Sequence, residues 1–314
     1  MSAGKRRDIY RRSSTGELTK LAPGIFAPRD ILESAAPWRL YQLRCAALGY
    51  AYPKFVLVGK SSAAVQNIPY GAVPARVEMA RGRGPGGLAN ELVKIRGLAA
   101  FPGQTVQKRF GLNVTTPLHT VLDIGRWHPL GDSVTAADHC LHEDVFNLPY
   151  LEYVSQLKGI HGINRLKDLV FLAQGASESP RESALRVAMW ENGFPAPELQ
   201  ASLVNGDGRF LGRVDALFAA ESVLVEYDGR DKYRQSTETA LMEERRREKD
   251  LLNLGTRMIR VTAETFADGG WIQPLRRELE LGRNRPLPLE SWASKGLGWG
   301  SLREKQPRGS AYSE

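Results

Sequence analysis

Asp215, Glu226 and Asp228 are the residues whose types and spacing could do chemistry in this 314-residue chain. They sit in two apolar runs, Phe210 to Phe218 and Ser222 to Asp228, with Ala219-Ala220-Glu221 between them. Two such runs around a short polar break predict an antiparallel hairpin. With Ala220 and Glu221 at its tip, Val214 faces Tyr227, Ala216 faces Val225 and Phe218 faces Val223. All six are apolar and share one face under a two-residue period. The opposite face pairs Leu217 with Leu224, Asp215 with Glu226 and Arg213 with Asp228. Directly opposed residues have Cβ atoms about 4.5–5.5 Å apart, where like charges repel unless neutralised. A divalent cation supplies that neutralisation, and Mg²⁺ favours a few carboxylate oxygens together with water and substrate phosphate. Pairing of these acids by Arg213 and nearby lysines at the surface is the other reading.

The surrounding elements must place these groups. Ser179-Pro180-Arg181-Glu182 predicts a helix start, with Ser179 as N-cap, Pro180 in the first turn and Glu182 completing a capping box. Gly193 ends that helix. Beyond the hairpin come Arg230 to Arg234, a charged helix from Leu241 to Leu252 that stops at Gly255, and a strand from Arg257 to Thr262. The predicted order is α-β-β-α-β. Most of the helix charges form a solvated face with i,i+4 partners such as Glu243 and Arg247. Lys232 is the functional candidate, because metal-assisted phosphodiester hydrolysis needs a nearby cation for the pentavalent phosphate.

As a set, Glu182, Pro197-Glu198-Leu199-Gln200, Asp215, Glu226-Tyr227-Asp228-Gly229 and the basic helix carrying Glu244 and Arg247-Glu248 resemble the PD-(D/E)xK, restriction-endonuclease-like fold. The nearer likeness is to its very-short-patch-repair-like branch, over about residues 177–270. The resemblance implies an α/β domain with a central mixed sheet, Mg²⁺ (or Mn²⁺) held by Asp215, Glu226 and Asp228, and DNA as substrate. The last position of the (D/E)xK triplet is Asp228 rather than lysine. Lys232 stands where members of the branch often place a lysine or histidine. Glu182 would complete the cluster, act as base, or serve only as a cap.

Charge divides the chain. Residues 1–60 hold 11 Lys/Arg against 4 Asp/Glu, while residues 177–282 hold 15 against 19. A basic front suits a polyanion such as nucleic acid. Its hairpin signal centres on Ala22-Pro23-Gly24, and a helical stretch from about Asp30 to Leu48 follows. A strand, Phe55 to Val58, leads to Gly59-Lys60-Ser61-Ser62, with Ser61 or Ser62 expected as N-cap. This is not a phosphate loop, because Lys54 occupies the position of the required upstream glycine. The glycine-rich Arg81 to Gly87 reads as a solvated linker or a phosphate contact. Asp138 and His142 would share a helix face, as an amphipathic helix or half of a zinc site. Leu18 to Pro28, Ser62-Ala63-Ala64 and Val114 to Asp123 resemble the AbiEi-type antitoxin architecture, with Leu18 to Pro28 as the wing of a winged helix-turn-helix that few residues precede.

The expected organisation is therefore an α/β chain with four parts. Residues 1–52 form a truncated winged-helix-like segment, 53–176 an AbiEi-like middle domain, 177–282 the nuclease-like domain, and 283–314 a disordered tail rich in Gly, Pro and Ser. At 42% hydrophobic and 25% charged residues, the composition excludes wholesale disorder. No run reaches the roughly 18 apolar residues of a membrane span. Cys45 and Cys140 cannot build a disulfide framework, which fits a reducing, cytoplasmic setting. Two functions follow: a Mg²⁺-dependent DNA endonuclease, or a non-catalytic, antitoxin-like transcriptional regulator of a type IV toxin–antitoxin system. The second implies a nucleotidyltransferase-like toxin encoded nearby.

Overall fold

The computed structural model describes residues 3–81, 91–98, 101, 103, 105–228 and 238–299. The chain is a mixed α/β protein whose contacts divide it into two compact units, 1–170 and 171–314.

The first unit opens with helix α1 (Ala3–Ser14) and the hairpin of β1 (Leu18–Ala22) and β2 (Ile25–Pro28), turned by Pro23-Gly24 with Gly24 at φ +74°. Tyr10 of α1 packs edge-on against Phe26, with ring centroids 5.6 Å apart. The helix expected from Asp30 to Leu48 is two helices, α2 (Arg29–Ser34) and α3 (Pro37–Ala51). Pro37 forces the break, since a residue before proline is driven out of helical conformation and Ala36 is extended at ψ 149°. Strand β3 (Phe55–Leu57) then enters α4 (Gly59–Gln66). Its N-cap is Val58 rather than Ser61 or Ser62, because both serines are drawn into buried bonds instead. The Ser61 hydroxyl lies 2.7 Å from Tyr41 Oη and accepts from the Glu78 N–H. Strands β4 (Val77–Arg81), β5 (Val93–Arg96), β6 (Val106–Arg109) and β7 (Leu112–Thr115) complete a sheet in the order β5-β4-β3-β7-β6. Helices α5 (Pro117–Trp127), α6 (Leu130–His142), α7 (Leu148–Ser155) and α8 (Arg165–Leu172) follow, the last running across the boundary between the units.

The second unit is built on helix α9 (Pro180–Glu191), then β8 (Glu198–Val204), β9 (Phe210–Phe218) and β10 (Val223–Tyr227). Helix α10 (Glu238–Leu252) leads to β11 (Arg257–Val261). The order is thus α-β-β-β-α-β, with one strand, β8, beyond the predicted set. β8, β9 and β10 form an antiparallel meander, and β11 joins β10 in parallel, giving a mixed sheet. Helices α11 (Ala263–Asp268) and α12 (Ile272–Gly282) come next. Residues 283–299, expected to be disordered, return to the sheet instead. There β12 (Trp292–Ala293) and β13 (Gly296–Leu297) both pair antiparallel with β8. Residues 300–314 lie outside the described residues.

Two apolar layers sandwich this sheet. One includes Leu185 and Met189 of α9, Ala216, Phe218, Val223, Val225 and Leu275. The other includes Ala201, Leu203, Val214, Leu217, Leu224 and Leu251. Burying a side chain of this size contributes about 1.5–3 kcal/mol.

Candidate active site

The hairpin register agrees with the expectation at the three pairs next to the turn. Val223 pairs with Phe218, Leu224 with Leu217, and Val225 with Ala216. The registered ladder stops there. Beyond it, β10 keeps its parallel partners, Glu226 beside Arg260 and Tyr227 beside Val261. Asp215 takes over from the β9 backbone, its Oδ2 accepting the Tyr227 N–H at 2.8 Å.

The expected apolar face needs one correction. Val214 packs with Leu217 and Leu224, whereas Ala216 packs in the layer containing α9. The neighbouring strand changes face at the same level, with Leu199 in one layer and Ala201 in the other. Between them Gln200 adopts a left-handed backbone, φ +49°, and is 4% exposed. A regular strand would keep alternate residues on one side. The left-handed residue rotates the chain between the two layers, and β9 follows it at Asp215. Non-glycine residues held at positive φ cost energy and cluster at functional sites.

This rotation places Asp215 in a small cleft with Glu182, lined also by Leu185, Pro197 and Ala216. Glu182 sits in the first turn of α9, where Ser179 caps its N–H as expected. Its carboxylate does not close the box on Ser179 but reaches one residue further, with Oε2 accepting from the Glu178 N–H at 2.9 Å. The same oxygen accepts from Gln200 Nε2 at 2.8 Å. Gln200 thus ties the strained strand to the helical carboxylate. Arg181 in the same turn of α9 lies over the Tyr227 ring, 5.7 Å from its centroid.

Glu226 is surrounded differently. Arg247 of α10 donates to its Oε1 at 2.9 Å, and Arg260 Nε lies 3.9 Å from its Oε2. Arg247 also grips Glu244 through two bonds, while Arg260 pairs with Glu244 and Glu248. Glu244 and Glu226 together hold the Arg247 guanidinium well above the usual arginine range, the hydrogen bonds to Glu244 contributing most. Basic compensation of Glu226 is therefore present, through α10 and β11 rather than Arg213. Arg213 pairs with Glu178 at 2.6 Å, and Lys295 reaches the same carboxylate at 2.7 Å. Asp228 follows β10, its N–H donating to the Val261 carbonyl at 2.8 Å. Lys232 and Gly229 lie outside the described residues.

Arg260 is the site residue that sequence reasoning did not name, whereas Gln200, Tyr227 and Arg247 were named there without the partners they have here. Hard carboxylate oxygens on Asp215 and Glu226 are the donors that Mg²⁺ or Mn²⁺ prefers. A cation held between them would have to take Glu226 from Arg247. Among the described residues, no group of three or more His, Cys, Asp or Glu side chains is arranged around a metal position. Lys60 and Asp138 are both buried within the first unit. Lys60 is 3% exposed and bonds Asp132 at 2.6 Å and the Ala72 carbonyl at 2.8 Å. Asp138 is buried on α6, whose inner face carries Val134, Ala137 and Cys140. Residues 82–90 of the glycine-rich loop lie outside the described residues. Cys45 and Cys140 are free and buried, and burial pushes both thiols up to about 12.

No protein-family model matches the chain, and no solved structure resembles it significantly. Two curated relatives are uncharacterized proteins of Mycobacterium tuberculosis, one from strain CDC 1551 / Oshkosh and one from strain H37Rv. Each is 28% identical over 132 residues, which is 40% of this chain and 46% of the relative. The chain thus matches under half the length of these relatives.

Proposed function

We propose that the second unit is a Mg²⁺- or Mn²⁺-dependent site for hydrolysing DNA phosphodiesters, of the PD-(D/E)xK kind. The observation that carries this reading is the position of Asp215 and Glu226. Both stand where β9 and β10 stop pairing, within an α-β-β-β-α-β frame that also brings Glu182 to Asp215. When bound, the metal would supply a Lewis acid for the phosphoryl oxygens and an activated water. Asp215 is oriented for that task by the Tyr227 N–H, and Glu182 by Gln200. Asp228 would assist directly or through water, and Lys232 would steady the transition state. Glu182 would accept a proton from the attacking water, or would serve only to hold Gln200 through their hydrogen bond. A cytoplasmic setting fits the two buried free cysteines. Among the described residues, no helix is long and apolar enough to cross a membrane.

A second reading has its own support. Glu226 already has a guanidinium partner, and the front unit presents Lys5, Arg6 and Arg7 exposed on α1 beside the hairpin. Both features suit a DNA-binding regulator that retains the nuclease fold as scaffold, acting with a nucleotidyltransferase-like toxin partner. Thermal unfolding in Mn²⁺ tests the first reading. A cation at 100 times its dissociation constant stabilises by about 2.7 kcal/mol. Asp215→Asn with Glu226→Gln should abolish the Mn²⁺-dependent shift of the parent. Equal responses from parent and double variant would remove the metal site and favour the regulator.

A further inference from the structure

The first unit contains a cleft of about 470 Å³, unrelated to the carboxylates of the second. Helices α2 and α3, separated at Pro37, both contribute leucines to it. The walls are Leu21 of β1, Leu32 of α2, Leu40 and Leu48 of α3, and Val77 of β4. Leu48 and Val77 are each 2% exposed, so the floor is well buried. Lys20, Arg29 and Arg44 also line the cleft and are exposed, as is the carboxylate residue Glu33. Three cations against one anion leave the lining with a net positive charge. Among the described residues, none of these three basic side chains makes a hydrogen bond or ion pair.

The volume is that of a site for a drug-sized molecule, and such sites combine apolar walls with a few polar groups that fix orientation. Guanidinium groups are the side chains best suited to grip a carboxylate or sulfonate with paired donors. We infer that this cleft binds an amphipathic monoanion, a medium-chain fatty acid or similar carboxylate. Its hydrocarbon body would lie along Leu32, Leu40 and Leu48, and its head group would meet Arg29 and Arg44.

The experiment uses the full chain and N-phenyl-1-naphthylamine, an uncharged fluorescent probe, displaced by decanoate or by decanol below their aggregation limits. Decanoate should displace the probe at least tenfold more effectively than decanol. Arg29→Gln with Arg44→Gln should remove that advantage while leaving decanol unchanged. Leu40→Trp should fill the cleft and weaken both competitors by more than tenfold. Failure of decanoate to displace the probe would overturn the proposal. Equal displacement by decanoate in the parent and in the double arginine variant would also overturn it, and needs no alteration of the apolar wall.

Discussion

Arg247→Met separates the competing demands on Glu226. Methionine keeps much of the apolar stem, which packs against Gly212, and deletes the charge. Arg247 and Glu226 have side chains 25% and 15% exposed, so their pair lies between surface and interior. Exposed pairs contribute about 0.2–1 kcal/mol, and breaking a fully buried one costs about 3–5 kcal/mol. The expected loss here is about 2 kcal/mol. Glu226 would keep only the longer approach of Arg260, at 3.9 Å, and Arg260 also serves Glu244 and Glu248. In a domain of 150–250 residues each kcal/mol moves the midpoint by about 2–4 °C, so Tm without metal should fall by about 4–8 °C. Mn²⁺ should then bind more tightly, because it no longer displaces a guanidinium. The same 2 kcal/mol corresponds to about 30-fold in dissociation constant. Calorimetric titration of Mn²⁺ into both proteins, with Tm followed in parallel, measures the two effects. Unchanged Mn²⁺ affinity in a destabilised variant would refute the competition, and an unchanged Tm would refute the energetic role of the pair.

Three further outcomes are expected. Gln200→Ile places a β-branched residue at φ +49° and removes the bond to Glu182, and should cost about 1–3 kcal/mol in urea denaturation. Gln200→Asn, which tolerates the left-handed region, should cost less than the isoleucine variant. His119 is 3% exposed, and burial lowers its pKa from 6.5 to about 4. The unfolded chain therefore binds more protons between those values, and stability of the first unit should be lost as pH falls from about 6.5 to about 4. The contribution is on the order of 3 kcal/mol, and His119→Gln should flatten that part of the stability–pH curve. For DNA binding, replacing Lys5, Arg6 and Arg7 with alanine should reduce the salt slope by up to about 3, at about 0.9 per phosphate contact. An unchanged slope would move the DNA surface away from α1.

The legible parts of the fold are those set by local chemistry. Ser179 and Pro180 start α9 as expected, and the short turn after Phe218 with its alternating apolar neighbours fixes the register of β9 and β10. The left-handed turn at Gln200 carries no local signal, because glutamine shows none of the preference for that conformation seen in glycine or asparagine. Its consequence, Val214 and Ala216 on different layers, was therefore hidden. β8 did leave a trace, since Leu199, Ala201 and Leu203 alternate along it. Pro37, by contrast, was a visible breaker inside the stretch read as one helix. The partner of Glu226 could not be read, because only the crossover from β10 through α10 to β11 sets Arg247 and Arg260 beside it. Trp292 and Leu297 are the apolar marks of the returning edge strands in a segment whose Gly, Pro and Ser content suggested disorder.

Hydrolysis of DNA at Asp215 is the central claim, and a direct cleavage assay tests it. Purified parent, Asp215→Asn and Lys232→Ala proteins would be incubated with plasmid, single-stranded and mismatched DNA in Mg²⁺ and in Mn²⁺. The parent should cleave at least one substrate in a metal-dependent manner, and Asp215→Asn should abolish the activity. Lys232→Ala should retain binding and lose about 10²–10³ in rate, the usual cost of one electrostatic stabiliser. Cleavage that persists in Asp215→Asn, or no cleavage of any substrate by the parent in either metal, would contradict the account.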